Sequence, residues 1–308
     1  MNTLFRADSS STIGTGHIMR DLVLASQYKE AHIIFASQEL EGNINQKILD
    51  AGYTLEILSS HKQEELDAII EKYAADMLVI DHYGIDYDYE KKLKEKYPKL
   101  TLMVLDDTYE KHHCDILLNH NISADVKRYK GLVPQGCELR CGSRYMLLRE
   151  EFKKAKKLHK MRNTKIRTVF LAMGGADHSN INTGILKVLK QCKNLQIELV
   201  TTQANQHLKE LQQYCKYKKW IHLHINANNI AVLMKKSDFA IITPSVTMNE
   251  ISYLHIPFIG IQTADNQRYM YSYLKKRNFL AMSKFSPNRL KNYISKLIVR
   301  NKHEYKRY

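Results

Sequence analysis

The sequence lacks any apolar run that approaches the roughly 18 residues needed to cross a membrane. It also lacks a charged-then-apolar leader, so we expect neither a membrane span nor a signal peptide. Cysteine is scarce, with five scattered residues among 308. An odd set of thiols in a chain without a leader is typical of the reducing cytosol. These absences predict a cytoplasmic protein that has no membrane partner.

Metal-ligand pairs at the usual spacings are missing as well. The segment His112-His113-Cys114-Asp115 brings four ligand-type side chains together. However, adjacent residues rarely face one ion, and no Cys-x-x-Cys or His-x-x-x-His pair occurs elsewhere. We therefore expect no metal site and no cofactor.

Acidic residues are too few to balance the basic ones, since 47 lysines and arginines face 32 carboxylates and leave a net charge of +15. Such an excess favours polyanionic partners, and RNA binding is the alternative function that it leaves open. The lysines lie mostly along amphipathic helical patterns, as in residues 91–96, which is typical of a solvated helix face. No nucleic-acid motif with interleaved aromatic residues occurs. We therefore expect no nucleic-acid partner.

Apolar strand patterns alternate with helical patterns along the chain. Nearly continuous apolar runs, as in residues 76–81 and 100–105, are typical of strands that are buried on both faces of a parallel sheet. Strands separated by helices predict doubly wound α/β domains, and the pattern restarts after a basic stretch. We expect an N-terminal domain over 1–150, a linker over 151–164, a C-terminal Rossmann-like domain over 165–283 and a basic helix over 284–308.

Three local predictions concern the chain near the strand ends. Residues 38–51 are expected to be mostly helical and to end at Gly52. Residues 180–191 are expected to form a helix soon after Gly174-Gly175. Asp106-Asp107 follows a buried strand, and N-capping of a following helix is the simplest role for the pair.

The stretch Gly14-Thr15-Gly16-His17 lies between a short apolar segment and a helical pattern, which predicts a strand, a glycine loop and a helix. The N-terminus of a helix presents unpaired N–H groups and a partial positive charge, which suit an anion. Histidine titrates near neutral pH without assistance. The sequence therefore places an anion site and a proton acceptor together, although a tight turn with a surface histidine would give the same pattern.

Polar side chains follow the predicted strands at their carboxyl ends, where open α/β sheets bind ligands. In the first half these are Asp8 and the run Asp81-His82-Tyr83. In the second half Gly174-Gly175 follows a buried strand and suits a phosphate. Glu250 follows Ser245 by about one helical turn, so it can either accept the hydroxyls of a ribose or take part in capping. We expect these groups to line a cleft between two domains.

Several blocks in the right order resemble one bacterial family, the UDP-2,4-diacetamido-2,4,6-trideoxy-β-L-altropyranose hydrolases of pseudaminic acid biosynthesis. The similarity is nearly unbroken through the first domain and weaker through the second. The blocks are Leu4-Phe5-Arg6-Ala7-Asp8-Ser9-Ser10-Ser11, Ile13-Gly14-Thr15-Gly16-His17-Ile18-x-Arg20-Asp21-Leu22, Ile80-Asp81-His82-Tyr83-Gly84-Ile85, His112-His113-Cys114-Asp115-Ile116-Leu117-Leu118-Asn119, Leu139-Arg140-Cys141-Gly142, Arg149-Glu150-Glu151-Phe152, Met173-Gly174-Gly175-Ala176-Asp177, Ile242-Thr243-Pro244-Ser245, Asn249-Glu250 and Asn266-Gln267.

This resemblance implies a two-domain GT-B fold like that of the MurG-type glycosyltransferases, with water as the acceptor. It implies that UDP leaves the sugar by inverting cleavage of the anomeric C–O bond without a metal, and that the free sugar goes on toward the nine-carbon acid that decorates flagellin. The family's catalytic histidine falls on His17 and a second active-site position on Tyr83. The nucleotide would be held largely by the second domain.

The residues themselves are compatible with this chemistry, because His17 can take a proton from the attacking water. Asp8 is the alternative base or an orienting partner for His17, and Tyr83 and Asp81 would orient the sugar or the water. A glycosyltransferase on the same scaffold is the main alternative, although no clear apolar patch for a lipid acceptor is visible. We expect a monomer. The expected substrate-binding residues are Arg6, Gly14, Thr15, Gly16, Asp81, His82, Gly174, Gly175, Ser245, Asn249, Glu250 and Asn266.

Overall fold

A computed structural model describes residues 1–157, 166–177, 179–192 and 194–299. The chain divides into two compact units, Met1–Leu147 and Leu148–Tyr308. Residues 158–164 of the predicted linker, residue 165 of the predicted C-terminal domain and residues 300–308 of the predicted terminal helix lie outside the described residues.

The first unit is built on a parallel sheet of seven strands within its described residues, in the order β3-β2-β1-β4-β5-β6-β7. Helices connect most of the strands in sequence, as in a doubly wound fold. The elements are β1 Asn2–Ala7, α1 Gly16–Ala25, β2 His32–Gln38, α2 Gln46–Asp50, β3 Thr54–Leu58, α3 Gln63–Tyr73, β4 Met77–Asp81, α4 Tyr87–Lys96, β5 Thr101–Leu105, β6 Ile116–Asn119 and β7 Glu138–Cys141.

Both faces of this sheet are covered by apolar packing. Leu4 on β1 is paired with Ile34 on β2 and with Leu78 on β4, and these side chains belong to the core on one face. Phe5 and its partner Phe35 belong to the core on the other face, with ring centroids 4.9 Å apart. Adjacent residues of a strand point to opposite faces, so continuous apolar runs are needed here. The prediction of strands buried on both faces is confirmed.

The second unit repeats the arrangement with a parallel sheet of six strands among its described residues, in the order β10-β9-β8-β11-β12-β13. Its elements are α5 Glu150–Lys157, β8 Thr168–Ala172, α6 Asn182–Leu189, β9 Gln196–Thr201, α7 Leu208–Cys215, β10 Ile221–Ile225, α8 Ile230–Lys236, β11 Phe239–Ile242, α9 Val246–Tyr253, β12 Phe258–Ile261, α10 Arg268–Lys276, β13 Leu280–Met282 and α11 Pro287–Val299.

The terminal helix α11 packs by the amphipathic pattern that the sequence shows. Leu290, Ile294 and Leu297 recur at helical spacing and are buried in the core of the second unit. Burial of such a stripe is what stabilises a surface helix in water. The described part of the predicted helix over 284–308 is therefore helical from Pro287 to Val299 and packs against the core of the second unit.

Three strands, β7, β10 and β13, were not predicted as strands, and each lies at an edge of its sheet. An edge strand has a neighbour on one side only, and its residues are less completely buried than those of a central strand. In β7 and β10 most residues are half-buried or exposed. The continuous apolar run that marks the central strands is therefore absent from them.

The predicted helix over 38–51 is wrong for most of its length, because only Gln46–Asp50 is helical. Side chains in the intervening loop bond to the backbone instead: Asn43 donates to the carbonyl of Leu40 over 2.7 Å, and Asn45 donates to that of Gln38 over 3.1 Å. Asparagine side chains compete in this way with helical hydrogen bonds. Gln38 itself ends strand β2.

The predicted capping role of Asp106-Asp107 is also wrong. Asp106 accepts hydrogen bonds from the backbone N–H groups of Thr108, over 2.9 Å, and Tyr109, over 2.8 Å, in a turn that no helix follows. An aspartate after a strand can stabilise a turn in this way without capping a helix.

Within the part of the chain that the structure describes, no helix is both long and apolar enough to cross a bilayer.

Candidate functional site

The strand order of the first unit reverses direction next to β1, which pairs with both β2 and β4. Open α/β sheets bind ligands beyond the carboxyl ends of the strands at such a switch point. The loop after β1 carries the glycine stretch, and β4 ends at Asp81. The glycine stretch and Asp81, which the sequence predicted to be functional, therefore lie at the same edge of the sheet.

The loop before α1 is closed by its own hydrogen bonds. The N–H of Gly14 donates to the carbonyl of Ser10 over 2.8 Å, and the Ser10 hydroxyl accepts from the N–H of Ile13 over 2.9 Å. Gly14 has a φ of +86°, a conformation that other residues adopt at a cost. This turn places Thr15 before the first helical residues, whose N–H groups have no intrahelical partner.

The imidazole of His17 is held by Asp81 from strand β4. Its Nδ1 lies 2.9 Å from the backbone carbonyl oxygen of Asp81 and 2.8 Å from the carboxylate Oδ1 of the same residue. Both oxygens are acceptors, so Nδ1 must carry the hydrogen. In the neutral ring, Nε2 is then the nitrogen that can accept a proton.

The carboxylate of Asp81 is ionised by its partners. Arg20 donates from Nε to Oδ2 over 2.5 Å and from Nη2 to Oδ1, which makes a two-pronged ion pair in a buried setting. Burial alone would raise the pKa of Asp81, but the charge of Arg20 and the contact with His17 hold that pKa well below its usual range. A permanent negative charge therefore lies beside His17.

Asp107 and Tyr83 extend this group toward solvent. Arg20 also donates from Nη1 to Asp107 over 3.1 Å, and the Tyr83 hydroxyl donates to Asp107 over 2.8 Å. The ring of Tyr83 meets that of His17 edge-on, with centroids 4.9 Å apart. Tyr83 remains 54% exposed, so a ligand can reach it. The structure thus brings together His17, Asp81 and Tyr83, as the sequence predicted.

Asp8 belongs to a different group. Arg6 donates to its two carboxylate oxygens over 2.6 and 2.9 Å, and His82 Nε2 lies 3.1 Å away. Burial would raise the pKa of Asp8, but the bonds to His82 and Arg6 lower it well below the ordinary value. Among the described contacts the carboxylate on His17 is Asp81, so Asp8 is not the orienting partner. Arg6 is 1% exposed and does not present its guanidinium to a ligand. We therefore assign Asp8 and Arg6 a structural role.

Four residues of the site were not predicted: Arg20, Asp21, Asp107 and His120. Arg20 and Asp21 follow His17 by three and four positions, which puts them on the same helix face. This helical spacing is the feature of the sequence that could have identified Arg20 and Asp21 as site residues. His120 follows β6 and is 2% exposed, and burial lowers its pKa to about 3, with Arg20 adding to the effect. No local pattern identifies it, because its position depends on the pairing of β6 beside β5.

In the second unit, Gly174 and Gly175 follow β8, and Gly174 has a φ of +83°. A Cβ on Gly175 would lie 2.9 Å from Cγ2 of Thr202, so the close packing here requires glycine. The helix that follows begins at Asn182, not at Asn180 as predicted. The glycine pair lies in the loop between β8 and this helix.

Ser245 lies directly after β11, Asn266 lies in a short 3-10 helix (Asp265–Gln267) after β12, and Asn249 lies inside α9. Ser245 is at the N-cap position of α9, but its hydroxyl makes no capping bond and lies 3.1 Å from that of Thr243. Asn266 is exposed, and Asn249 is fully buried with 0% exposure. A ligand can therefore reach Asn266 directly, whereas the substrate contact predicted for Asn249 is not supported.

The carboxylate of Glu250 forms an ion pair with Arg149, which belongs to the same unit. Arg149 donates from Nη2 to Oε1 over 2.8 Å and from Nε over 3.3 Å. The same arginine contacts Glu151 over 2.6 Å. Burial raises the pKa of Glu250 above its ordinary value, and Arg149 opposes the shift. Glu250 is thus held in place by an ion pair and does not cap α9.

In the segment His112-His113-Cys114-Asp115, His112 makes buried contacts with two carboxylates of the first unit. His112 Nδ1 lies 2.8 Å from Glu90 of α4, and the other ring nitrogen lies 3.8 Å from Asp106. Burial would lower the pKa of His112, but Asp106 and Glu90 raise it to about 9. Within the described ranges, no group of three or more ligand-type side chains can hold a metal ion.

The fold places the chain in a known structural class. No protein-family model matches the sequence. A crystal structure of Acinetobacter baumannii MurG is similar with a TM-score of 0.63 at 9% identity, covering 96% of this chain and 90% of that one. The spinosyn rhamnosyltransferase SpnG is similar with a TM-score of 0.69 at 11% identity, covering 97% of this chain and 92% of that one. The fold is therefore that of the GT-B class, as predicted.

A sequence relative identifies the family within that class. The UDP-2,4-diacetamido-2,4,6-trideoxy-β-L-altropyranose hydrolase of Campylobacter jejuni is 40% identical over 279 residues. The match covers 91% of this chain and 98% of the relative. The chain belongs to the family of UDP-2,4-diacetamido-2,4,6-trideoxy-β-L-altropyranose hydrolases, which the sequence motifs predicted.

Proposed function

We propose that this protein hydrolyses UDP-2,4-diacetamido-2,4,6-trideoxy-β-L-altropyranose to UDP and the free 2,4-diacetamido-2,4,6-trideoxy-L-altrose, in the biosynthesis of pseudaminic acid. Membership of the hydrolase family supports the substrate and the overall reaction. The residues around His17 support the chemistry, in which water attacks the anomeric carbon and the C–O bond to UDP breaks with inversion.

The observation that carries the mechanism is the engagement of His17 Nδ1 by two oxygens of Asp81. Because that nitrogen must keep its hydrogen, Nε2 is the basic nitrogen of the neutral ring. It takes a proton from water as the oxygen bonds to the sugar carbon, a contribution of roughly 10²–10⁴-fold in rate. The anionic Asp81 then stabilises the imidazolium, as a fixed charge in a buried site does effectively.

The leaving group needs charge stabilisation more than a strong acid, because a diphosphate ester is a weak base. Unpaired N–H groups at the start of α1 are suited to an anion. In the second unit, we propose that the loop at Gly174-Gly175 contacts phosphate and that Glu250 contacts the ribose. A single displacement with one base requires no pair of catalytic carboxylates, unlike most glycosidases.

Incubation of the purified protein with the UDP-sugar in ¹⁸O-labelled water tests this proposal. We expect UDP and free sugar without any added acceptor, with the label on the sugar. Label on the phosphate of UDP would mean attack at phosphorus. His17→Ala should lower kcat by about 10²–10⁴-fold, and full turnover by this variant would contradict the role of His17.

The same experiment separates the glycosyltransferase alternative, which predicts that no free sugar forms in water alone. The similarity to glycosyltransferase structures near 10% identity concerns the fold and not the acceptor. We propose that the protein acts as a cytoplasmic monomer without a nucleic-acid partner, and steep salt-dependent RNA binding would contradict the latter.

A further inference from the structure

Asp21 is a buried carboxyl group that the proposed mechanism does not use. It lies on α1 one helical turn after His17 and is 0% exposed. Among the described residues, neither of its carboxyl oxygens has a hydrogen-bond donor. An ionised carboxylate in such a position would lose its hydration without compensation, which is strongly unfavourable.

The charged groups around Asp21 do not offset the cost of burying an ionised carboxylate at this position either. Arg20, the cation that acts on Asp21, is already engaged by Asp81 and Asp107. Asp81 is the other titratable group that acts on Asp21, through its charge and through a side-chain hydrogen bond between the two carboxyl groups. Ionisation of both of two adjacent buried carboxyl groups is strongly unfavourable in free energy, so one of them keeps its proton.

The proton belongs on Asp21 because the two carboxyls have different partners. Asp81 receives two hydrogen bonds from Arg20 and one from His17, whereas no described residue donates to Asp21. Burial and the charge of Asp81 raise the pKa of Asp21 well above its ordinary value, against the opposing effect of Arg20. The negative charge of the pair therefore resides on Asp81.

We propose that Asp21 is a neutral carboxylic acid in the working protein and donates its hydrogen to Asp81, as a positioning residue for the carboxylate that holds His17. One proton is shared by the two carboxyls, and it stays with the pair while His17 takes its proton from water. The kinetic part of this proposal rests on the proposed hydrolase function. The protonation state itself does not.

A neutral Asp21 gives the site a defined charge. The other groups that face His17 and Asp81 are Arg20 on the same helix, Tyr83 after β4, Asp107 after β5 and His120 after β6. With Asp21 and His120 uncharged, one positive and two negative charges remain before the reaction. The single net negative charge stabilises the imidazolium at His17, whereas an additional one would hold a proton on His17 and reduce the population of the base.

Infrared difference spectroscopy at pH 7 tests the protonation state directly. We expect the carbonyl-stretch band of a carboxylic acid to be lost in Asp21→Asn. The matched control is Asp67→Asn, since the Asp67 carboxylate accepts from Lys96 over 2.9 Å, and this change should leave the band intact. A spectrum of Asp21→Asn without any loss of the band would show an ionised Asp21 and overturn the proposal.

The pH profile of kcat/KM tests the positioning role. Asn can donate to Asp81 as a protonated Asp does, so Asp21→Asn should keep kcat within about threefold and keep the profile. Asp21→Leu removes the donor, so Asp81 holds the imidazolium more strongly and the acidic limb should move upward by about one pH unit. Equal losses in Asp21→Asn and Asp21→Leu would refute the role, because the charge and not the proton would then matter.

Thermal unfolding of both variants controls for misfolding. If Asp21→Leu does not fold, the infrared experiment on Asp21→Asn still decides the protonation state. If His17→Ala keeps full turnover while the band is lost in Asp21→Asn, the mechanism fails and the neutral Asp21 stands, so the two failures can be distinguished.

Discussion

At the scale of residues, the site depends on one imidazole whose two nitrogens have different environments. Nδ1 of His17 faces two oxygens of Asp81, and this contact fixes the tautomer. Arg20 keeps Asp81 anionic, so one carboxylate both orients the proposed base and supplies the negative charge beside it. A change at Asp81 should therefore affect the chemical step more than substrate binding.

Replacement of Asp81 by Asn tests this coupling. An Asn amide can donate to Nδ1, which favours the wrong tautomer, and it carries no charge to stabilise the imidazolium. We expect kcat to fall by about 10²-fold with little change in KM. Steady-state kinetics would check this, with Asp86→Asn as the matched control because Asp86 caps α4 and Asn caps equally well. Activity within threefold of the wild type would contradict the role of Asp81.

Much of the residue-level site could be predicted, but its pairings could not. His17 and Tyr83 stand out because each follows a predicted strand end. Asp8 was one candidate partner for His17, and Asp81 was expected to orient the sugar or the water. The contact of Asp81 with His17 was missed because Asp81 is 64 residues away and its side-chain direction depends on the register of β4 beside β1. Asp21 resembled any polar residue of a helix until its complete burial was known.

At the scale of elements, His112 connects helix α4 to the loop after β5 through contacts with one carboxylate from each. The ring lies between Glu90 of α4 and Asp106, and all three side chains are buried. Because these two carboxylates raise the pKa of His112 to about 9, the charged ring persists well above neutral pH. This contact makes the stability of the first unit depend on pH.

The sign of that dependence follows from the raised pKa. The ion pair contributes fully below the unfolded-state pKa of about 6.5 and is lost as the pH rises through about 9, with a total of about 3 kcal/mol. We expect urea unfolding of the wild type to show this loss between pH 6 and pH 9.5. His112→Gln should show a smaller loss, while the exposed control His32→Gln should behave as the wild type. Equal pH dependence in His112→Gln would mean that His112 is not charged.

Central elements could be predicted more reliably than edge elements. The buried strands β4 and β5 have continuous apolar runs because helices cover both of their faces. The edge strands β7 and β10 have no such run, since most of their residues are half-buried or exposed, and β13 is only three residues long. The loop before α2 resembled a helix because Asn43 and Asn45 bond to the backbone in ways that residue composition alone does not distinguish.

At the scale of the whole molecule, each unit carries its own set of predicted contacts. His17, Asp81 and Tyr83 belong to the first unit, whereas Glu250 and Arg149 belong to the second. The repeated alternation of strands and helices predicted two α/β domains, because that pattern depends on local periodicity. We expect the chemical step and nucleotide binding to respond to different substitutions.

Calorimetric titration with UDP tests this division. Glu250→Gln should weaken UDP binding by about tenfold, because a charged acceptor for the ribose is lost. The binding difference between UDP and 2′-deoxy-UDP should shrink in the same variant. His17→Ala should leave the Kd for UDP within about twofold. Glu151→Gln is the control, since Glu151 also contacts Arg149, and equal weakening there would assign the effect to Arg149 instead.

The strand order has a consequence for how the chain acquires its structure during synthesis. In each unit the first strand is central: β1 pairs with β2 and β4, and β8 pairs with β9 and β11. The strand order therefore allows each sheet to form outward from the strand of that unit that is synthesised first, with the edge strands β7 and β13 synthesised last. Because every strand of the first unit precedes residue 148, that unit can fold while the second is still being translated.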